Sequence, residues 1–112
     1  MKVINTKLDG LYIIKPVVYS DERGYFFESY RDDIFKKKIG NINFIQENES
    51  YSTKGILRGL HFQTEPYAQA KLVRCIKGKV LDVVVDIRKK SKTFGKYKSF
   101  LLSEHNKLQL FI

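Results

Sequence analysis

From Val80 to Arg88 the chain alternates with a period of two: Leu81, Val83, Val85 and Ile87 fall on one side, and Asp82, Asp86 and Arg88 on the other. That periodicity belongs to a β-strand with one covered and one wet face, and a helix cannot satisfy it. Turn sequences bracket it, Lys77-Gly78-Lys79 before and Thr93-Phe94-Gly95-Lys96 after. The same grammar of short strands broken by turns runs through the rest of the chain. Gly10 to Tyr19 is rich in β-branched and aromatic residues and is interrupted by Pro16, which suits a sheet edge. After the turn Ser20 to Gly24, further strands are expected at Tyr25–Tyr30, Asn43–Tyr51, Ile56–Gln63, Ala70–Ile76, Tyr97–Ser103 and Leu108–Ile112. One helix is expected, Arg31 to Ile39, with Asp32 and Asp33 at its positive end, Lys36 to Lys38 at its negative end and Gly40 as the stop. Strands at this spacing predict an all-β sandwich or barrel. Its 112 residues hold one domain, 1–112, large enough to bury a core without a staple.

The chain stops at Leu108-Gln109-Leu110-Phe111-Ile112, inside an apolar pattern with no polar tail. A strand in that position needs neighbours to cover it, so the sequence reads as cut short.

The longest apolar run is four residues, Leu11 to Ile14, far short of a membrane-spanning helix, and no secretory leader opens the chain. A lone cysteine, Cys75, makes no internal disulfide, so a reducing cytoplasm is the simplest location. The formal charge is +9, from 21 basic residues against 12 acidic. Sixteen of the basic residues are Lys and five are Arg, scattered apart from Lys36–Lys38 and Arg88–Lys92. Base reading leans on the planar fork of Arg, so a solvated Lys-rich surface accounts for the charge better than a nucleic-acid partner. A phosphate-bearing small substrate fits the charge too, but needs a pocket to support it.

The strongest local signal is Gly55-Ile56-Leu57-Arg58-Gly59-Leu60-His61-Phe62-Gln63. On a regular strand Arg58 and His61 point to opposite faces; a bulge at Gly59 would re-aim one of them. His61 is the side chain best suited to proton transfer near neutrality, although a surface His on a kinked strand has the same sequence. The spacing is similar to the first half of a metal-binding cupin motif, which places a second His two residues later. Position 63 is Gln, and the one other histidine, His105, lies in a distant turn, so no metal is expected. Lys71 could place a cation in a pocket or be a strand-edge Lys with a solvated head. Gln46 and Asn48 share one face of their expected strand, open to a nucleobase or to water. Arg23, Phe26 and Glu28 offer a cation, a stacking ring and an acceptor, with Phe26 equally plausible as core. Asp82 could position a base, pair with Lys71, or form an exposed ion pair. Cys75 reads as packing.

These segments, taken in order, resemble the dTDP-4-dehydrorhamnose 3,5-epimerase family. The resemblance is carried by Asp21-Glu22-Arg23-Gly24-Tyr25-Phe26-Phe27-Glu28, Gln46-Glu47-Asn48, Lys54 to Gln63, Lys71-Leu72-Val73-Arg74-Cys75, Gly78 to Arg88 and Ser91-Lys92-Thr93-Phe94-Gly95. It implies a cupin-type jelly roll (double-stranded β-helix), incomplete at the C-terminus, and a homodimer whose N-terminal strands pair across the interface. It implies no metal and no other cofactor, and a dTDP-4-keto-6-deoxy sugar as substrate, inverted at C3 and C5 on the route to dTDP-rhamnose. His61 matches the family's base and Lys71 the cation that stabilises the enolate. Arg58 matches a phosphate contact; Gln46 and Asn48 match nucleotide or phosphate contacts. Arg23, Phe26 and Glu28 match residues reaching the nucleotide from the partner subunit, and Asp82 an acidic position near the site. The family's opposite-face donor, a Tyr, and the Asp partner of its base lie beyond Ile112; Tyr97 and Asp86 are not their equivalents. An epimerase acting at one carbon and a non-catalytic nucleotide-sugar-binding cupin share these residues.

Overall fold

The computed structural model describes residues 1–112 as eight strands and one helix. The strands are β1 (Lys2–Asn5), β2 (Tyr12–Lys15), β3 (Val18–Asp21), β4 (Gly24–Phe27), β5 (Leu72–Arg74), β6 (Lys79–Val85), β7 (Tyr97–Ser103) and β8 (Gln109–Phe111); the helix α1 is Asp32–Lys38. Four strands make one antiparallel sheet in the order β1-β2-β8-β5, while β3-β4 and β6-β7 are separate two-stranded sheets. No helix is long and apolar enough to cross a membrane.

Proline decides the first division. Pro16 has no N–H to give a ladder, so the expected strand from Gly10 to Tyr19 breaks into β2 and β3 on either side of it. β2 stays in the main sheet; β3 turns away and pairs only with β4. The final apolar segment, read from sequence as a strand in need of neighbours, has them. β8 lies between β2 and β5, and all three of its residues are buried.

α1 packs on one face of this sheet. Phe35 is fully buried with Ile14 and Phe111, and Tyr12, Phe44 and Leu72 close around them. Phe35, Phe44 and Phe111 meet edge to face at 6.1–6.5 Å, the arrangement that ring quadrupoles favour. The helix follows the charge signals in the sequence. Asp32 and Asp33 occupy its first turn, Lys36–Lys38 its last, and Asp32 pairs with Lys36 one turn on at 2.7 Å. Gly40, at φ +146°, ends it, its N–H bonding the Phe35 carbonyl.

Gln109 is a polar residue in this core. It is 1 % exposed, and its amide Nε2 donates to the Ser29 carbonyl at 2.8 Å, 80 positions away in sequence. This bond ties the stretch after β4 to the centre of the sheet. Gln109→Leu keeps the volume but leaves that carbonyl without its donor, and a loss of about 1–3 kcal/mol is expected in urea unfolding.

β6 corrects the sequence reading of its faces. The alternation is present, but Leu81 is 67 % exposed and Ile87 48 % exposed, while Asp82 is half-buried and Asp86 buried. The apolar row of β6 and its neighbours on β7, Leu101 and Tyr97, lies open in this chain. Asp86 is buried because donors surround it. Arg88 gives Nε and Nη2 at 2.9 Å each, Arg88 N at 3.0 Å, Ser91 Oγ at 2.5 Å and Thr93 Oγ1 at 2.6 Å. Arg88 also reaches the Asp9 carbonyl at 2.7 Å, fastening the β6–β7 connection to the loop between β1 and β2.

Two expected strands are absent. Asn43–Tyr51 and Ile56–Gln63 run without a sheet partner and are largely exposed. Their residues favour extended backbone, but a strand needs a second strand to bond, and none lies beside them.

Candidate active site

β5 and β8 set one side of the site. Lys71 stands just before β5, where its backbone N–H and carbonyl both bond Ile112 at 2.9 Å. The ladder continues as Leu72 opposite Phe111 and Val73 opposite Leu110. Leu72 faces the helix and its core, so alternation puts Lys71 and Val73 on the other face.

The unpaired segments supply the rest. Gln46, Asn48, His61, Phe62, Gln63 and Gln69 join Lys71 around an open cleft of about 480 Å³. Its polar lining consists of amides, one imidazole and one ammonium. Gln46 and Asn48 point to the same side without being on a strand, held by a 3.0 Å bond from Gln46 Nε2 to Asn48 Oδ1.

Gly59 separates His61 from Arg58. Its φ of +113° is out of reach for most side chains, and a Cβ there would sit 3.5 Å from the His61 N and 3.6 Å from its Nδ1. The chain bends at Gly59, His61 enters the cleft, and Arg58 turns away to donate to Ser52 Oγ at 2.9 Å and the Tyr51 carbonyl at 3.2 Å. The two residues therefore do not share the pocket; the bend at Gly59, not strand parity, separates them.

Of the residues singled out in the sequence, the fold gathers His61, Lys71, Gln46 and Asn48. Arg58 and Asp82 are not among the cleft-lining residues. Asp82 sits half-buried on β6 opposite Phe100, and burial pushes its carboxyl up from the ordinary value. Arg23 and Phe26 lie on the β3–β4 hairpin and Glu28 at its end, and none of the three lines the cleft of their own chain. Arg23 grips Asp21 at 2.6 Å, which holds the Asp21 carboxyl below its usual range, and Glu28 pairs with Arg31 at 3.1 Å. Phe26 is 66 % exposed, so it is not core. The sequence reading did not single out Phe62, Gln63 or Gln69 as functional. Gln63 lies inside the Arg-Gly-Leu-His-Phe segment and was weighed there only as a missing metal ligand; no local signal marks Gln69.

The sequence pattern described as dTDP-4-dehydrorhamnose 3,5-epimerase matches residues 5–112. The chain belongs to this family. A dTDP-4-dehydrorhamnose 3,5-epimerase of Shigella flexneri is 54% identical over 113 residues, covering 100% of this chain and 62% of the relative. A crystal structure of the Legionella pneumophila dTDP-6-deoxy-D-glucose-3,5-epimerase in complex with dTDP-4-keto-L-rhamnose superposes with a TM-score of 0.93 at 46% identity. It covers 99% of this chain and 59% of that one. A 3'-monoepimerase from Streptomyces bikiniensis, solved with dTDP-quinovose, gives a TM-score of 0.92 at 33% identity, covering 97% of this chain and 56% of its own. The eight strands are thus part of the cupin-type jelly roll of the family. The chain spans about 60% of the length of the curated relatives it matches.

Proposed function

We propose that this chain takes part in the 3,5-epimerisation of a dTDP-4-keto-6-deoxy sugar, with His61 as the base and Lys71 as the cation that meets the enolate. The observation that carries the reading is the cleft that holds an imidazole and an ammonium together with the amides of Gln46 and Asn48. The hydrogens at C3 and C5 lie α to the C4 ketone. His61 takes one as a proton; the C–H electron pair becomes the new C=C bond, and the carbonyl pair moves onto oxygen as an enolate. The Lys71 ammonium stabilises that oxygen in a site fixed by the β5–β8 ladder. Protonation of the same carbon from the opposite face completes inversion and needs a second acid, distinct from His61 and Lys71. Gln46 and Asn48 bind the nucleotide side of the substrate, and Arg58 a phosphate oxygen once it leaves Ser52; the role matched to Asp82 is an acidic position near the site.

Arg23, Phe26 and Glu28 act on the cleft of a second copy in a homodimer. Supporting this, the β3–β4 hairpin carries all three, pairs with no other strand and leaves Tyr19 and Phe26 both more than 60 % exposed. A free Cys75 thiol fits a reducing cytoplasm.

Mass spectrometry of dTDP-4-keto-6-deoxyglucose incubated with the chain in heavy water tests the reading. Deuterium is expected at both C3 and C5. Uptake that stops at C3 would instead assign one-carbon epimerisation, the activity named for the 33%-identical 3'-monoepimerase, which is less similar to this chain than the 54%-identical 3,5-epimerase. Substrate binding with no uptake at either carbon would sink the catalytic reading and leave a nucleotide-sugar-binding protein.

A further inference from the structure

The β3–β4 hairpin carries Arg23, Phe26 and Glu28, yet no backbone hydrogen bond joins residues 18–27 to any other strand. Something else must set its orientation, because a two-stranded hairpin alone is marginal in water. Two side chains from the β7–β8 region do so. One is Gln109, bonded to the Ser29 carbonyl just after β4. The other is Lys107, whose Nζ stands 3.7 Å from the centroid of the Tyr25 ring and 5.8 Å from that of Phe27.

The rings are prepared for a cation. Tyr25 and Phe27 are two residues apart on β4 and share one face, 6.1 Å between centroids and 26° from parallel. Phe26 lies between them and takes the other face, where its cross-strand partner is Tyr19. The face that Lys107 covers therefore dictates which face presents Phe26.

The cation is prepared as well. Lys107 is half-buried at φ +53°, in a turn locked by the Asn106 side chain. Asn106 accepts from the Ser103 N–H and the Leu108 N–H, and donates to the Leu101 carbonyl. Lys107 Nζ also donates to the Glu104 carbonyl, and the Glu104 carboxylate accepts from the Gly78 N–H. The ammonium is held at a fixed point, partly out of water, where a cation–π contact is strongest.

We propose that Lys107 is a positioning residue for nucleotide binding: it clamps the Tyr25–Phe27 face of the hairpin and so presents Phe26, Arg23 and Glu28 to a nucleoside diphosphate. This rests on the functional reading above. Lys107 touches no substrate; it acts through the hairpin.

The test is calorimetric titration of the 112-residue chain with dTDP, alongside NMR of the Lys107 side chain. In the wild type, the Lys107 ε-methylene protons should be shifted upfield by the Tyr25 ring. Lys107→Met keeps the apolar stem and the backbone demand, and is expected to weaken dTDP binding about tenfold. Lys107→Arg restores a cation over the rings and should bind within about twofold of wild type, a rescue that loss of packing alone does not predict. Lys98→Met removes the same charge from the second residue of β7, away from the hairpin rings, and should change nothing. Binding by Lys107→Met equal to wild type overturns the proposal, as do equal losses in the Met and Arg variants or an unshifted methylene signal. If the wild type itself does not bind dTDP, the functional reading falls and this proposal falls with it. A tight wild type with an indifferent Lys107→Met removes the proposal alone.

Discussion

Replacing Asp86 by Ala is expected to lower the unfolding free energy by about 3 kcal/mol, the largest stability loss from a single polar residue in this chain. The carboxylate is 2 % exposed and accepts from the Arg88 guanidinium, the Arg88 N–H, Ser91 and Thr93. Its removal leaves two hydroxyls and an N–H facing a void. The Arg88 head is 54 % exposed and can return to water, which keeps the loss below that of a fully enclosed ion pair. Arg88 also loses the partner that orients it toward the Asp9 carbonyl, so the β1–β2 loop should loosen in hydrogen exchange. The same donors, Arg88 first, hold the Asp86 carboxyl far below its ordinary value of 3.8. The sign follows from linkage. A carboxylate depressed by folding contributes its stabilisation in full above the unfolded value and loses it as pH falls through the folded one. The wild type should therefore hold this contribution down to about pH 4 and lose it progressively in stronger acid, whereas Asp86→Asn should lack that acid limb. Urea midpoints measured from pH 7 to pH 2 check both. A parallel decline in wild type and Asp86→Asn would show that the buried cluster does not control acid stability.

His61→Ala is expected to slow deuterium uptake at C3 and C5 by about 10²–10⁴-fold, and Lys71→Met by about 10²–10³-fold. The two losses have different origins. Without the imidazole no cleft residue is placed to take the proton; without the ammonium the proton can leave, but the enolate oxygen meets no charge. Lys71→Met keeps both backbone bonds to Ile112, so the sheet should survive intact. Both variants should bind dTDP within about twofold of wild type, since neither removes Gln46 or Asn48, the residues proposed for the nucleotide side of the cleft. A split of this kind, uptake lost and affinity kept, separates proton chemistry from binding. Loss of dTDP affinity in Lys71→Met would instead assign Lys71 to the phosphates.

Much of the local structure was legible before the fold was known. The charge order from Asp32 to Lys38 located the helix to within a residue at each end, because macrodipole and stop signal act locally. Tyr97–Ser103 was legible from its pattern and turns, and is β7 with the same ends. Pro16 was visible as a break, though not as the point where one strand leaves the sheet. The segments Asn43–Tyr51 and Ile56–Gln63 misled, because extended propensity is a property of residues and strand pairing a property of neighbours. His61 and Lys71 were legible as candidates and line one cleft, and Gly59 was legible as the bend between His61 and Arg58. Gln69 was not, since it enters the cleft on a turn-rich connection without periodicity.

By itself the sequence determined which residues share a side of each strand, where the helix begins and ends, and which family the chain resembles. All of these depend on contacts between residues a few positions apart or on residue identity in order. The tertiary structure alone decided which side is buried. Along Leu81–Ile87 it left Leu81 and Ile87 exposed, Asp82 half-buried and Asp86 buried, the last because five donors satisfy its carboxylate. It also placed Arg23, Phe26 and Glu28 on a hairpin held by Lys107 and Gln109, more than 75 positions later in the chain. A period of two reports alternation; only packing and hydrogen bonding from distant segments give the alternation an inside.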